Sequence, residues 1–192
     1  FNVGSSPQLD AVAGTRRWAI PSKPVPELLA GWTRVREAAA RIAPGGEPLR
    51  IVVVGGGAGG VELTLAMQSQ LPGTTRFDLV HGGDHLLPGH NPRVQRLFED
   101  LLAARGITTR LGRRVVEVTG EETRLDDGSS LESDFVFWVT QPAPPRWLRH
   151  SGLALNEKGF LRVGPTLECV GRSGIFAAGD VASIEDVPLP KS

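Results

Sequence analysis

Two hydrophobic rhythms alternate along this chain. Leu28, Trp32, Val35, Ala39 and Ile42 step by four, three, four and three, one apolar stripe of a helix that starts at Pro26. Pro44-Gly45-Gly46 stops it. Ile51-Val52-Val53-Val54 is β-branched and apolar at every position, the pattern of a central parallel strand buried on both faces. Val61–Met67 reads as helix and Phe77–Val80 as a second strand. Pro92 to Arg105 is a second amphipathic helix with Val94, Leu97, Phe98, Leu101 and Leu102 on one face, ended by Gly106 at its C′ position. Ile107–Leu111 is a third strand. Val115–Val118, Thr123–Leu125 and Ser129–Leu131, with turns at Gly120 and Asp127-Gly128, predict an antiparallel meander. Phe135–Val139 is one more apolar strand, after which Pro142, Pro144 and Pro145 break regular structure and short strands follow residue 150. Residues 1–25 are punctuated by Pro and Gly and read as extended. The fold class is α/β: a Rossmann-like parallel sheet with helices on both faces, plus the antiparallel meander.

Composition narrows the chemistry. The 192 residues suffice for a sizeable core without a disulfide or metal staple. Lys+Arg and Asp+Glu are both 21, so net charge gives no argument for a nucleic-acid partner or an anionic membrane. No apolar run approaches the ~20 residues of a transmembrane segment. Cys169 is the sole cysteine, so no CxxC redox or zinc pair exists, and without a basic neighbour within two residues it reads as a buried or incidental thiol. His81, His85 and His90 lie in a loop with no Cys or second-strand ligand to complete a site, a poor metal set. The four tryptophans read as packing residues, Trp138 being the one closest to a cofactor cleft. Both ends read as cuts through a longer protein: Phe1 opens no signal peptide, and Ser192 closes a polar stub.

Gly55-Gly56-Gly57-Ala58-Gly59-Gly60 satisfies G-x-G-x-x-G, directly after a strand and directly before a helix. In that context Gly55 permits a tight turn, Gly57 lets the backbone approach a pyrophosphate, and Gly60 lets helix and strand pack closely. The helix N-terminus offers free N–H groups and a partial positive charge to the phosphates. No Gly-Lys-Ser/Thr follows, so this is not a kinase-type phosphate loop. The acid expected at the end of the second strand is missing; His81, Gly82 and Gly83 stand there, with Asp84 three residues on. His81 has two readings: it caps the ribose or tolerates a 2′-phosphate, or it is an exposed loop residue.

Gly55–Glu62 resembles the NAD(P)H-binding loop of the pyridine nucleotide-disulfide oxidoreductase superfamily, the flavoproteins with two dinucleotide-binding domains. Ile175-Phe176-Ala177-Ala178-Gly179-Asp180-Val181-Ala182 resembles the second FAD motif of that superfamily, and Val3-Gly4-Ser5 the segment closing the first part of its FAD domain. The likeness is nearer to the type II NADH dehydrogenase-like branch, which has no redox disulfide. Leu86–Asn91 and Val3–Pro7 further resemble the flavoprotein segment fused to selenide, water dikinase in some bacteria.

The resemblance implies residues 1–25 as the tail of a first FAD-domain segment with a linker, 26–141 as the NAD(P)H-binding domain with its preceding helix, and 142–192 as the start of a second FAD-domain segment. It implies hydride transfer from nicotinamide to flavin by an FAD-dependent parent, cytoplasmic or membrane-peripheral, with this piece alone inactive. The cofactor-binding residues it implies are Gly55, Gly57, Ala58, Gly59, Gly60, Glu62, His81, Gly82, Val115, Thr140, Gln141, Gly179 and Asp180. Asp180 would bind the ribityl chain. Glu62 would lie beside the nicotinamide, or else simply complement the helix dipole. Val115 would pack near the adenine, or else be meander core. Thr140 keeps the family pattern, while Gln141 replaces its usual glycine. No side chain is assigned as a catalytic acid or base, and a short-chain dehydrogenase is excluded by the absence of tyrosine. The other reading is a degenerate dinucleotide fold that regulates or docks a partner.

Overall fold

The structure is a computed structural model describing residues 1–185 and 187. In chain order its elements are β1 (Ser6–Pro7), α1 (Thr15–Trp18), β2 (Ala19–Pro21), α2 (Val25–Ala39), β3 (Leu49–Val54), α3 (Ala58–Gln70), β4 (Thr75–His81) and α4 (Pro92–Ala104). Then follow β5 (Thr108–Leu111), β6 (Val115–Val118), β7 (Glu122–Leu125), β8 (Ser130–Glu132), β9 (Phe135–Trp138), β10 (Pro142–Ala143), β11 (Leu161–Val163) and β12 (Ala182–Ile184). Contacts divide the chain into two compact units, Leu9–Thr140 and Phe1–Gln8 with Gln141–Ser192.

In the larger unit, β2, β9, β3, β4 and β5 form a five-stranded parallel sheet in that order. Alternation along each strand feeds two separate cores. Ile51, Val53, Leu79 and Phe137 pack with Val35 of α2, Val61 and Met67 of α3 and Leu102 of α4. Val52, Val54, Val80, Val136 and Trp138 pack with Val115, Val118 and Leu125 of the antiparallel meander β6–β7–β8.

The expectation of helices on both faces is thus corrected: α2, α3 and α4 share one face, and the meander covers the other. Crossover handedness supplies the reason. The steps β2 to β3, β3 to β4 and β4 to β5 all run the same way across the sheet, so right-handed crossovers put their helices on one side. The return from β5 to β9 runs the opposite way, and its connection, the meander, lands on the opposite side.

Local chemistry sets the element ends. Asn91 caps α4, its side-chain oxygen accepting from the N–H groups of Arg93 and Val94 at 3.1 Å each. Gly106, at φ 71°, closes the helix as expected: its N–H donates to Ala103, and the N–H of Ile107 donates to Leu102. Two expectations change here. Leu97 is 63% exposed, off the buried stripe of α4. Residues 1–25 are not wholly extended, since they include the single helical turn α1, although β2 within them is a strand.

The smaller unit pairs β1 with β10 antiparallel and β11 with β12 parallel. Leu148, Leu161, Val163, Cys169, Ala177 and Val181 make its core, which explains the thiol as packing. Among the described residues no helix is long and apolar enough to cross a membrane.

Candidate functional site

The glycine loop joins the end of β3 to α3, at the carboxyl end of the sheet where open α/β folds bind ligands. Each glycine has a different reason to be there. Gly55 turns at φ 126°, and a Cβ on it would lie 2.2 Å from the Val139 carbonyl oxygen. This close approach brings the loop against Val139-Thr140 at the end of β9. A Cβ on Gly60 would lie 1.7 Å from the Gly55 carbonyl oxygen, so α3 starts flush against the turn. Gly56 is equally confined, its added Cβ falling 2.6 Å from both His81 Cγ and Leu86 Cδ2. Gly57 differs: with φ −74° and ψ 178° it begins α3, and a Cβ there would meet nothing within 4 Å. The space over Gly57 is open, and no side chain caps the first N–H groups of α3. Free main-chain N–H groups at a helix start with open space above them are the arrangement that binds anions.

His81 ends β4, and its ring turns back on the loop. The Gly56 N–H donates to His81 Nδ1 at 3.2 Å. An accepting Nδ1 leaves the proton on Nε2. Burial also lowers the His81 pKa below the ordinary histidine value, so the ring is held neutral. Nε2 faces Gly83, where a Cβ would come within 2.9 Å. Leu87 takes a left-handed backbone, φ 53°, and its N–H donates to the Gly56 carbonyl at 2.8 Å, so the 86–87 segment buttresses the loop from below.

The connector after β5 runs along the end of β4. Gly112 N–H donates to the Gly83 carbonyl and Arg113 N–H to the His81 carbonyl. The Arg114 side chain then lies over Gly82, with Cγ at 3.1 Å and Nε at 3.2 Å from where a Cβ on that glycine would be.

The larger unit thus holds Gly55, Gly57, Ala58, Gly59, Gly60, His81, Gly82 and Thr140 around the carboxyl ends of β3, β4 and β9. Glu62 is exposed on the first turns of α3. Val115 is buried between sheet and meander. Trp138 is buried on that same face and Trp32 packs on the helix side, whereas Trp18 and Trp147 are about half exposed. Gln141, Gly179 and Asp180 belong to the smaller unit. There the Ser5 hydroxyl donates to Asp180 Oδ2 at 2.9 Å, and a Cβ on Gly179, at φ 72°, would crowd Asn2 Oδ1 at 2.8 Å. A half-buried carboxylate oriented by a hydroxyl, beside a left-handed glycine, suits the hydroxyls of a polyol chain.

Sequence reasoning missed Gly56, Gly83, Arg114 and Ser5 as shapers of these sites. Gly56 is hidden inside the motif as an x position. Arg114 carries no motif; only the basic pair Arg113-Arg114 ahead of the meander marks it.

Known proteins share both fold and sequence with this chain. The family model described as pyridine nucleotide-disulphide oxidoreductase matches residues 12–190. Demethylphylloquinone reductase NdbB of Synechocystis sp. is 28% identical over 143 residues, covering 73% of this chain and 35% of that protein. The type II NADH:quinone oxidoreductase of Haemophilus influenzae is 27% identical over 149 residues, covering 71% and 34%. The chain thus matches about a third of the length of these relatives. NDH2 from Plasmodium falciparum in complex with NADH superposes with a TM-score of 0.79 at 17% identity, over 95% of this chain and 43% of that one. The water-forming NADH oxidase from Lactobacillus brevis bound to NADH gives 0.75 at 20% identity, over 94% and 38%. With a glycine loop at a sheet's carboxyl end and a family match spanning nearly all of its residues, the chain belongs to the pyridine nucleotide-disulphide oxidoreductase family.

Proposed function

We propose that this chain is the NAD(P)H-binding part of an FAD-dependent oxidoreductase that passes hydride from nicotinamide to flavin. The observation that carries the reading is the open space over Gly57, at the uncapped start of α3, in a loop otherwise closed by Gly55, Gly56 and Gly60. Residues 9–140 are the dinucleotide-binding unit in this reading. Residues 1–8 and those after 140 are pieces of an FAD domain, with Asp180 and Ser5 toward the ribityl chain. The hydride chemistry is supplied by nicotinamide and flavin when bound; the protein binds, orients and excludes water. Ala58, Gly59 and Gly60 present main-chain N–H groups to the pyrophosphate. Gly55 and Thr140 set the loop's depth, and Glu62 faces the nicotinamide end. Relatives named as quinone reductases support a quinone as the acceptor. Such an enzyme would work on the cytoplasmic side, peripheral to a membrane. The likeness of Leu86–Asn91 to a segment fused to selenide, water dikinase supports that enzyme as a fused or partner activity.

Calorimetric titration of Gly57→Val tests the reading. The branched side chain fills the open space while φ −74° suits any residue. Affinity for NADH and NADPH should fall at least tenfold, about 1.4 kcal/mol, with unchanged circular dichroism. Glu62→Gln should change affinity by less than about twofold, because its neighbour is the nicotinamide and not the phosphates. Unchanged binding in Gly57→Val would defeat the assignment. Binding without flavin reduction in a flavin-loaded longer protein would favour a regulatory module instead.

A further inference from the structure

We propose that Arg114 makes this site selective for NADPH over NADH. The inference rests on the dinucleotide reading above and adds the identity of the ribose substituent.

A ribose diol is held by an acceptor, normally an acid at the end of the second strand; a 2′-phosphate needs donors and positive charge there. Here that strand end offers donors. His81 stands in the acid's place and accepts from Gly56 through Nδ1, which leaves Nε2–H as its outward donor, beside Gly83. The nearest following acid, Asp84, lies against Gly112, its Oδ1 3.7 Å from where a Cβ would be.

The charge comes from Arg114. Its main chain is clamped on both sides: its N–H donates to Asp126 Oδ1 at 3.1 Å and its carbonyl accepts from the Asp126 N–H at 2.9 Å. The preceding residues are tied to β4 by Gly112 to Gly83 and Arg113 to His81. From that anchored position the side chain crosses Gly82, so closely that a Cβ there would require it to shift by a few tenths of an ångström. Arg113 is not equivalent, because its Nε pairs with Asp127 Oδ2 at 2.6 Å. Arg114 has no ion pair among the described residues and is exposed, so its guanidinium is available to a phosphate. A phosphate monoester carries about −1.5 to −2 charge at pH 7 and only acceptor oxygens, the complement of this donor set.

The test is isothermal titration of this chain with NADPH, NADH and 2′,5′-ADP, which carries the 2′-phosphate without the nicotinamide. Wild type should bind NADPH at least tenfold more tightly than NADH, and 2′,5′-ADP should compete. Arg114→Ala should weaken NADPH at least tenfold, leave NADH within twofold and abolish competition by 2′,5′-ADP. Arg114→Lys should keep part of the preference, having charge without the planar fork. Circular dichroism checks each variant, and Arg114→Gln replaces any that fails to fold. Equal affinity for the two dinucleotides in wild type, or equal loss of both in Arg114→Ala, would overturn the assignment while leaving the dinucleotide site standing. Binding of neither would remove the dinucleotide reading and this one with it.

Discussion

At the scale of single residues, adjacent glycines in one loop carry different constraints, and their substitutions should differ in sign. Gly60→Ala puts a methyl 1.7 Å from a carbonyl oxygen, a backbone collision that no rotamer relieves. Overpacking of that kind should cost about 1–3 kcal/mol or more. Gly57→Ala meets open space at an ordinary φ and should be neutral or stabilise by about 0.4–1 kcal/mol through the unfolded chain. Urea denaturation of the two variants checks the pair; equal destabilisation would mean the loop is not packed as described. His81 gives a pH signature. Its folded pKa is lowered by burial, and protonating Nδ1 would also break the bond from Gly56. Between that lowered pKa and the ordinary value of about 6.5, the unfolded chain binds more protons than the folded one. Stability from this group is therefore full above about pH 6.5 and declines as pH falls through the window. Denaturation midpoints measured from pH 7.5 to 5 should fall less steeply in His81→Gln than in wild type. An identical slope would show that His81 titrates alike in both states.

At the scale of elements, α4 separates what periodicity can say from what tertiary contact decides. Leu97 and Leu102 share the apolar side of its pattern, yet Leu102 is fully buried and Leu97 is 63% exposed. Leu102→Ala should cost about 2–5 kcal/mol, and Leu97→Ala should stay within about 0.5 kcal/mol. Thermal melts of the two variants give the comparison, and similar losses would put Leu97 in a buried contact. The strand and helix order from α2 to β9 was legible because Ile51–Val54 and Phe135–Trp138 are apolar runs, Phe77–Val80 is apolar but for Asp78, and helical stripes and turn residues separate them. The allocation of faces was not: it depends on strand order, and β9 inserts between β2 and β3 only through contacts remote in sequence. The site divides in the same way. Gly55, Gly57 and Gly60 were legible as a motif, since backbone chemistry fixes their spacing. Arg114 was not, because it reaches the end of β4 from a connector more than thirty residues later and meets Gly82 only in three dimensions.

At the scale of the whole molecule, the chain path itself is informative. It leaves the smaller unit after Gln8 and re-enters at Gln141, and Pro7 and Pro142 are partners in the β1–β10 pair. The larger unit is thus an insertion whose two ends leave from neighbouring residues, the arrangement in which an inserted unit folds without help from its host. It has its own two cores, on the two faces of one sheet. It also contains the glycine loop, His81, Gly82, Arg114 and Thr140. Residues 9–140 expressed alone should therefore unfold cooperatively and keep NADPH affinity within roughly threefold, about 0.7 kcal/mol, of the full chain. Gln141 falls outside that piece, which makes the experiment a direct measure of its contribution. A single sigmoidal denaturant transition with near-native affinity would assign the whole dinucleotide site to the insertion. Cooperative folding with affinity reduced more than tenfold would instead assign part of the site to Gln141 or the residues beyond it. A broad, non-cooperative transition would mean that the two cores of the sheet are not sufficient for its stability, against the insertion argument.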